Sequence, residues 1–69
     1  MSKIQFVGEF NALLAMHGDM FFSSGSVKED YSLIRGTIKQ QGYWAGNSLR
    51  YMFDEDFNFL RTEERVFGR

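Results

Sequence analysis

The residues best suited to chemistry lie in one acidic stretch, Asp54-Glu55-Asp56-Phe57-Asn58. Asp, Asp and Asn at alternate positions are the spacing with which a calcium loop opens, its side-chain oxygens meeting around the ion. The remainder of the loop does not follow. Its sixth position calls for glycine and is Phe59, and its twelfth calls for a bidentate glutamate and is Arg65. The stretch therefore reads as an acidic hairpin turn and not as a metal site. Asp54 with Asp56, or Glu63 with Glu64, are the paired carboxylates on offer for acid–base work. Neighbours on an extended strand point to opposite faces, so Glu63 and Glu64 cannot address one substrate, and they read as solvated charges. His17, the only histidine, has neither an orienting partner nor fellow ligands at a useful spacing. It reads as a cap or core residue near a helix end, where a partial positive charge is favourable.

Two glycine-containing stretches invite a phosphate reading. Ser23-Ser24-Gly25-Ser26 lacks the Gly-Lys-Ser/Thr ending of a phosphate loop, and Gly42-x-x-x-Gly46 lacks the strand–turn–helix setting of a dinucleotide fingerprint. The chain has no cysteine, which removes disulfides and thiolate metal sites together and fits a cytoplasmic location. No catalytic set is assembled, so the expectation is a protein that is not an enzyme and holds no cofactor and no metal.

What remains is aromatic. Twelve of the 69 residues are Phe, Tyr or Trp. From Tyr43 onward come Tyr43-Trp44, Tyr51, Phe53, Phe57, Phe59 and Phe67, broken by Gly46-Asn47 and Asp54-Glu55-Asp56. Aromatics on a sheet face can stack single-stranded bases, but that also needs a basic track for the phosphates. The net charge is −1 and only Arg35, Lys39, Arg50 and Arg61 are available on the expected strands, so no nucleic acid is expected. The longest apolar run is too short to span a membrane, and Met1–Gln5 turns polar too early for a signal peptide; no membrane partner is expected.

The elements that must carry these residues form one small domain, residues 1–69. A domain of this size buries only about 60% of its unfolded surface, and without disulfides its stability must come from large aromatics and from self-association. Phe6, Val7, Phe10, Leu13, Leu14 and His17 share one arc at helical period, Ser2-x-x-Gln5 resembles a capping box, and Gly18 is a helix stop. Ile4, Phe6, Gly8 and Phe10 also alternate as a strand would, and a strand to Phe10 followed by a helix capped by Asn11 is a third option. A helix beginning between Ser2 and Asn11 is preferred.

Asp19–Phe22 reads as a short strand and Ser23–Ser26 as a loop. Ser32, Ile34, Gly36 and Ile38 alternate with Tyr31, Leu33, Arg35, Thr37 and Lys39, which reads as a strand, ended by a turn at Gln40-Gln41-Gly42. Residues 43–53 read as one strand bulged at Gly46-Asn47 or as two strands split there. Asp54–Asp56 turns the chain, and Phe57, Phe59 and Arg61 open the next strand. Glu63-Glu64 reads as exposed, and Arg65-Val66-Phe67 as that strand's close or as a final short one. The expected fold is α+β: an N-terminal helix packed on a three- to four-stranded antiparallel β-meander.

Residues 25–67 also resemble the second half of lipocalin-like (calycin) bacterial proteins of uncharacterised function. The likeness is carried by Gly25-Ser26-Val27, Gly42-Tyr43-Trp44-Ala45-Gly46-Asn47-Ser48-Leu49, Phe53-Asp54-Glu55-Asp56-Phe57 and Arg65-Val66-Phe67. It implies a hydrophobic-ligand barrel of successive hairpins. About 45 residues cannot close an eight-stranded barrel with strands of five to six residues, so closure would take two chains.

Two functions follow as expectations. The first is a small non-enzymatic interaction module that binds or occludes a partner protein, by analogy with phage-encoded inhibitors of host machinery. Its contact residues are expected to be Tyr43, Trp44, Arg50, Tyr51 and Phe57, because aromatic and Arg anchors carry most interface energy. The alternative is a hydrophobic-ligand-binding protein closed by dimerisation. A homo-oligomer, most simply a dimer, is expected in either case, since a sheet with one helix to cover it leaves a second face to fill.

Overall fold

The structure, a computed structural model, describes residues 2–65. Helix α1 (Lys3–Met16) is followed by helix α2 (Val27–Gln41) and by strands β1 (Tyr43–Ala45), β2 (Leu49–Phe53) and β3 (Phe59–Glu64). The fold is α+β, with the N-terminal helix packed on a three-stranded antiparallel meander ordered β1-β2-β3.

Helix α1 starts where its capping signal lies. The Ser2 hydroxyl accepts the Gln5 amide at 3.1 Å, satisfying one of the donors that a helix start leaves without a partner. Val7, Phe10 and Leu14 form its buried face. A strand through residues 4–10 would put Val7 on the face opposite Phe10; the helix buries both. His17 is the C-cap, its Nδ1 3.0 Å from the Leu13 carbonyl.

Helix α2 occupies the segment whose alternation predicts a strand. A strand would carry Ser32 and Gly36 to the core beside Ile34 and Ile38. Of residues 31–39 the helix buries only the two isoleucines, leaves Ser32 and Gly36 exposed and half-buries Tyr31. Its ends are well specified. The Ser26 hydroxyl accepts the Glu29 amide at 3.4 Å, within a Ser-x-x-Glu sequence of capping-box form. Glu29 and Asp30 in the first turn and Lys39 in the last complement the helix dipole. Gly42, expected in a turn, is the left-handed C-cap at φ +86°, its amide donating to the Ile38 carbonyl at 2.6 Å. Asp30 is buried and ties the preceding loop to the helix. It accepts from the Ser23 hydroxyl, the Ser24 amide at 2.9 Å and the Ser24 hydroxyl at 2.7 Å.

In the sheet Trp44 lies opposite Tyr51, and Tyr51 opposite Thr62. β1 and β2 are separate strands split at Gly46-Asn47. Trp44, Leu49, Tyr51 and Phe53 face the helices; Tyr43, Arg50, Met52, Arg61 and Glu63 are on the other face. The core joins Val7, Phe10 and Leu14 of α1 to Ile34 and Ile38 of α2 and to Tyr51 and Phe53 of β2. Phe10 is the joint: its ring meets Trp44 edge-on at 5.3 Å and Phe53 at 6.3 Å.

Two local expectations are corrected. Asp19–Phe22 is an irregular connection and not a strand, and the Asp19 carboxylate accepts from Met20, Asn47 and Tyr51. Phe57 is not in the third strand. It sits in the β2–β3 turn at φ +65°, where Asp54 organises the chain, and β3 begins at Phe59. Glu63 and Glu64 belong to β3. Val66 and Phe67 lie outside the described residues. Within the stretch that carries the lipocalin-like resemblance, Val27–Gln41 is helical and one meander follows.

Candidate protein-interaction surface

The five residues expected to make contacts fall in three places. Tyr43 and Arg50 lie on the uncovered sheet face, half-buried, with the guanidinium 5.4 Å from the Tyr43 ring. Arg50 also approaches Glu63 at 3.7 Å, and its Nε is buried without a hydrogen-bond partner. Phe57 lies in the hairpin turn, half-buried, with the Arg35 guanidinium 4.0 Å from its ring centroid. Trp44 and Tyr51 share the helix-facing side. Tyr51 is fully buried, so its surface is not available to a partner in this conformation. Trp44 keeps an accessible edge while its ring packs on Phe10 and, at 5.5 Å, on Phe21.

That edge of Trp44 opens onto a groove of about 610 Å³ between the α1–α2 connection and β1, lined by Met20, Phe21, Phe22, Leu33, Trp44 and Ala45 among others. Phe22 is 84% exposed, Met20 66% and Leu33 54%. Three large apolar side chains beside a half-buried Trp are unusual on a soluble surface, where contiguous apolar patches stay small unless they bind something. Sequence reasoning missed Met20, Phe22 and Leu33. The signal was the triplet Met20-Phe21-Phe22 against a Ser/Gly loop, an apolar run with no regular element to bury it.

The groove is held open by a polar anchor. Asp19 Oδ2 accepts the Asn47 amide at 2.9 Å and the Tyr51 hydroxyl at 3.1 Å, while Oδ1 accepts the Met20 amide at 2.9 Å. Burial acts to raise the Asp19 pKa, but these hydrogen bonds and the nearby charge of Arg65 more than offset it and hold the carboxyl below its ordinary value. Burial and the hydrogen bond to the same carboxylate push the Tyr51 phenol up to about 12. Gly46 leaves room for this cluster: a Cβ there would meet Asp19 Oδ2 at 2.0 Å.

A second groove, about 720 Å³, lies between α2 and the β2–β3 turn, with Tyr31, Ile38, Phe53 and Phe57 on its walls and Arg35 and Lys39 at its edge. The acidic turn beside it is self-satisfied. Asp54 accepts the Asn58 amide at 2.9 Å, the Asp56 amide at 2.9 Å and the Asn58 side chain at 3.1 Å, and these bonds hold its carboxyl below the ordinary value. Among the described residues no three His, Asp or Glu side chains are grouped to hold a metal ion, and no helix is long and apolar enough to cross a membrane. The chain matches no family model, no curated protein and no solved structure.

Proposed function

We propose that this chain is a non-enzymatic interaction module that binds or occludes a partner protein through the groove beside Trp44. The observation that carries the proposal is the exposure of Phe22 and Met20 next to the accessible edge of Trp44. Interface energy concentrates in a few large apolar and aromatic anchors that fill pockets and exclude water. Here the anchors stand on a connection fixed at both ends, by Asp19 to the β1–β2 turn and by Asp30 to α2. Little ordering entropy is then lost on binding. The module's contact set is Met20, Phe22, Leu33 and Trp44.

Affinity capture with the wild type and with Phe22→Ser tests the proposal. A partner held by the wild type and lost with the variant, at unchanged circular dichroism, is the expected result. Identical captured proteins for both would remove the groove as the binding surface.

Small-ligand binding is a second proposal, favoured by the cleft between α2 and the β2–β3 turn. Its volume and its apolar walls with few polar groups are those of ligand sites. Ligands that enter it would leave Trp44 fluorescence unchanged, since Trp44 does not line it, but would protect Phe53 and Phe57 amides from hydrogen exchange.

A further inference from the structure

We propose that two copies of this chain pair along β3, antiparallel and with Thr62 on the two-fold axis, joining their sheets into one. Among the described residues β3 is an edge of the sheet, with β2 on one side only. The phase of its backbone follows from the ladder. The Arg65 amide donates to the Ser48 carbonyl at 3.1 Å, in the same register that pairs Arg50 with Glu63 and Met52 with Arg61. Arg61 and Glu63 therefore direct their backbone groups to β2, while Thr62 and Glu64 direct theirs to the free edge. A free edge of this kind is a template for another strand.

Its side chains specify which strand. A two-fold axis perpendicular to the sheet keeps each face on its own side, so facing residues come from the same face and the axis passes through one residue. An axis at Arg61 sets arginine against arginine, and an axis at Glu63 sets glutamate against glutamate. An axis at Thr62 sets Arg61 of each copy against Glu63 of the other, twice. It also places the outward N–H and C=O of Thr62 against those of the second Thr62, and pairs threonine with threonine on the inner face. Opposite charges and Thr–Thr pairs directly across strands stabilise, and like charges destabilise. Within one copy Arg61 already donates to Glu63 through Nε at 3.0 Å and Nη2 at 2.8 Å, with the Arg61 side chain 60% exposed. The two groups thus lie together on one face at the edge as a charge-complementary pair, and in the dimer each also faces its opposite across the axis. This contact is separate from the groove at Trp44 and stands without it.

Sedimentation velocity over a concentration series, with the full chain, tests the pairing. The wild type is expected to associate to a dimer. Arg61→Glu and Glu63→Arg each make every cross-strand pair like-charged and weaken association by about tenfold or more. A one-to-one mixture of the two variants restores complementarity and forms a heterodimer, and the double swap Arg61→Glu with Glu63→Arg dimerises again. Phe22→Ser leaves association unchanged. A wild type that stays monomeric throughout, single variants that associate as it does, or a mixture that does not recover would overturn the proposal. So would loss of the dimer in Phe22→Ser, which would move the contact to the groove.

Discussion

Asp19 shows how one side chain settles the shape of a surface. It is half-buried, and its carboxylate holds the Asn47 amide and the Tyr51 hydroxyl 28 and 32 residues away along the chain. The packing around it has no slack at Gly46, where an added Cβ would meet Asp19 Oδ2 at 2.0 Å and Tyr51 Cε1 at 2.7 Å. Gly46→Ala is therefore expected to cost about 1–3 kcal/mol, the usual range for overpacking a filled site, read as a lower urea midpoint at unchanged slope. Stability also depends on pH from both ends. The Asp19 and Asp30 carboxyls are held below their ordinary value in the folded chain, so their contribution is complete above the unfolded carboxyl pKa of about 4 and is lost as pH falls through the lower folded values. Tyr51 works in the opposite direction. Its pKa is raised from 10.0 to about 12, so its contribution is complete below pH 10 and is lost as pH rises toward 12. Chemical denaturation across pH should show both declines. Asp19→Ala should flatten the acid one, and Tyr51→Phe should remove the latest step in tyrosinate absorbance.

At the scale of elements, α2 is the instructive case. Its interior carries Gly36 on the exposed side, where a Cβ would meet nothing within 4 Å. Gly36→Ala is expected to stabilise the protein by about 0.5–1 kcal/mol, whereas Gly42→Ala, at φ +86°, is expected to cost about 1–2 kcal/mol because a left-handed L-residue is strained. Thermal unfolding of the two variants should move in opposite directions. The same helix marks how far the sequence could be read. α1 was legible because Ser2, Gln5 and the spacing of Val7, Phe10 and Leu14 agree. β1, β2 and the acidic turn were legible because Gly46-Asn47 and Asp54 punctuate aromatic runs. In residues 31–39 two periods compete, since Ile34 and Ile38 are four apart and satisfy both. The flanks decided between them: a capping serine with Glu29 three residues on, and a glycine directly after Gln41. The candidate site was half legible. Trp44 stood out by type, whereas Phe22 belongs to an irregular connection, and nothing periodic tells which side of such a segment faces water.

At the scale of the whole molecule, two phenylalanines separate what folds the chain from what it presents. A domain of 69 residues has a stability of roughly 3–10 kcal/mol at 0.05–0.15 kcal/mol per residue. Phe10 is 4% exposed and its ring contacts those of Phe21, Trp44 and Phe53, so it links α1 to the connection, to β1 and to β2. Removing it should cost about 3–5 kcal/mol, which is comparable with the entire margin, because no disulfide limits the unfolded chain. Phe22 is 84% exposed and should change stability by less than about 0.5 kcal/mol when replaced by serine, as surface substitutions do. Urea titrations monitored at the single Trp should show Phe10→Ala largely unfolded without denaturant and Phe22→Ser unfolding with the wild-type midpoint. A Phe22→Ser variant that unfolded early would mean that Phe22 packs in solution and that the groove beside Trp44 is closed. A wild-type midpoint together with loss of the captured partner would assign Phe22 to binding alone, whereas Trp44 serves both the core and the groove.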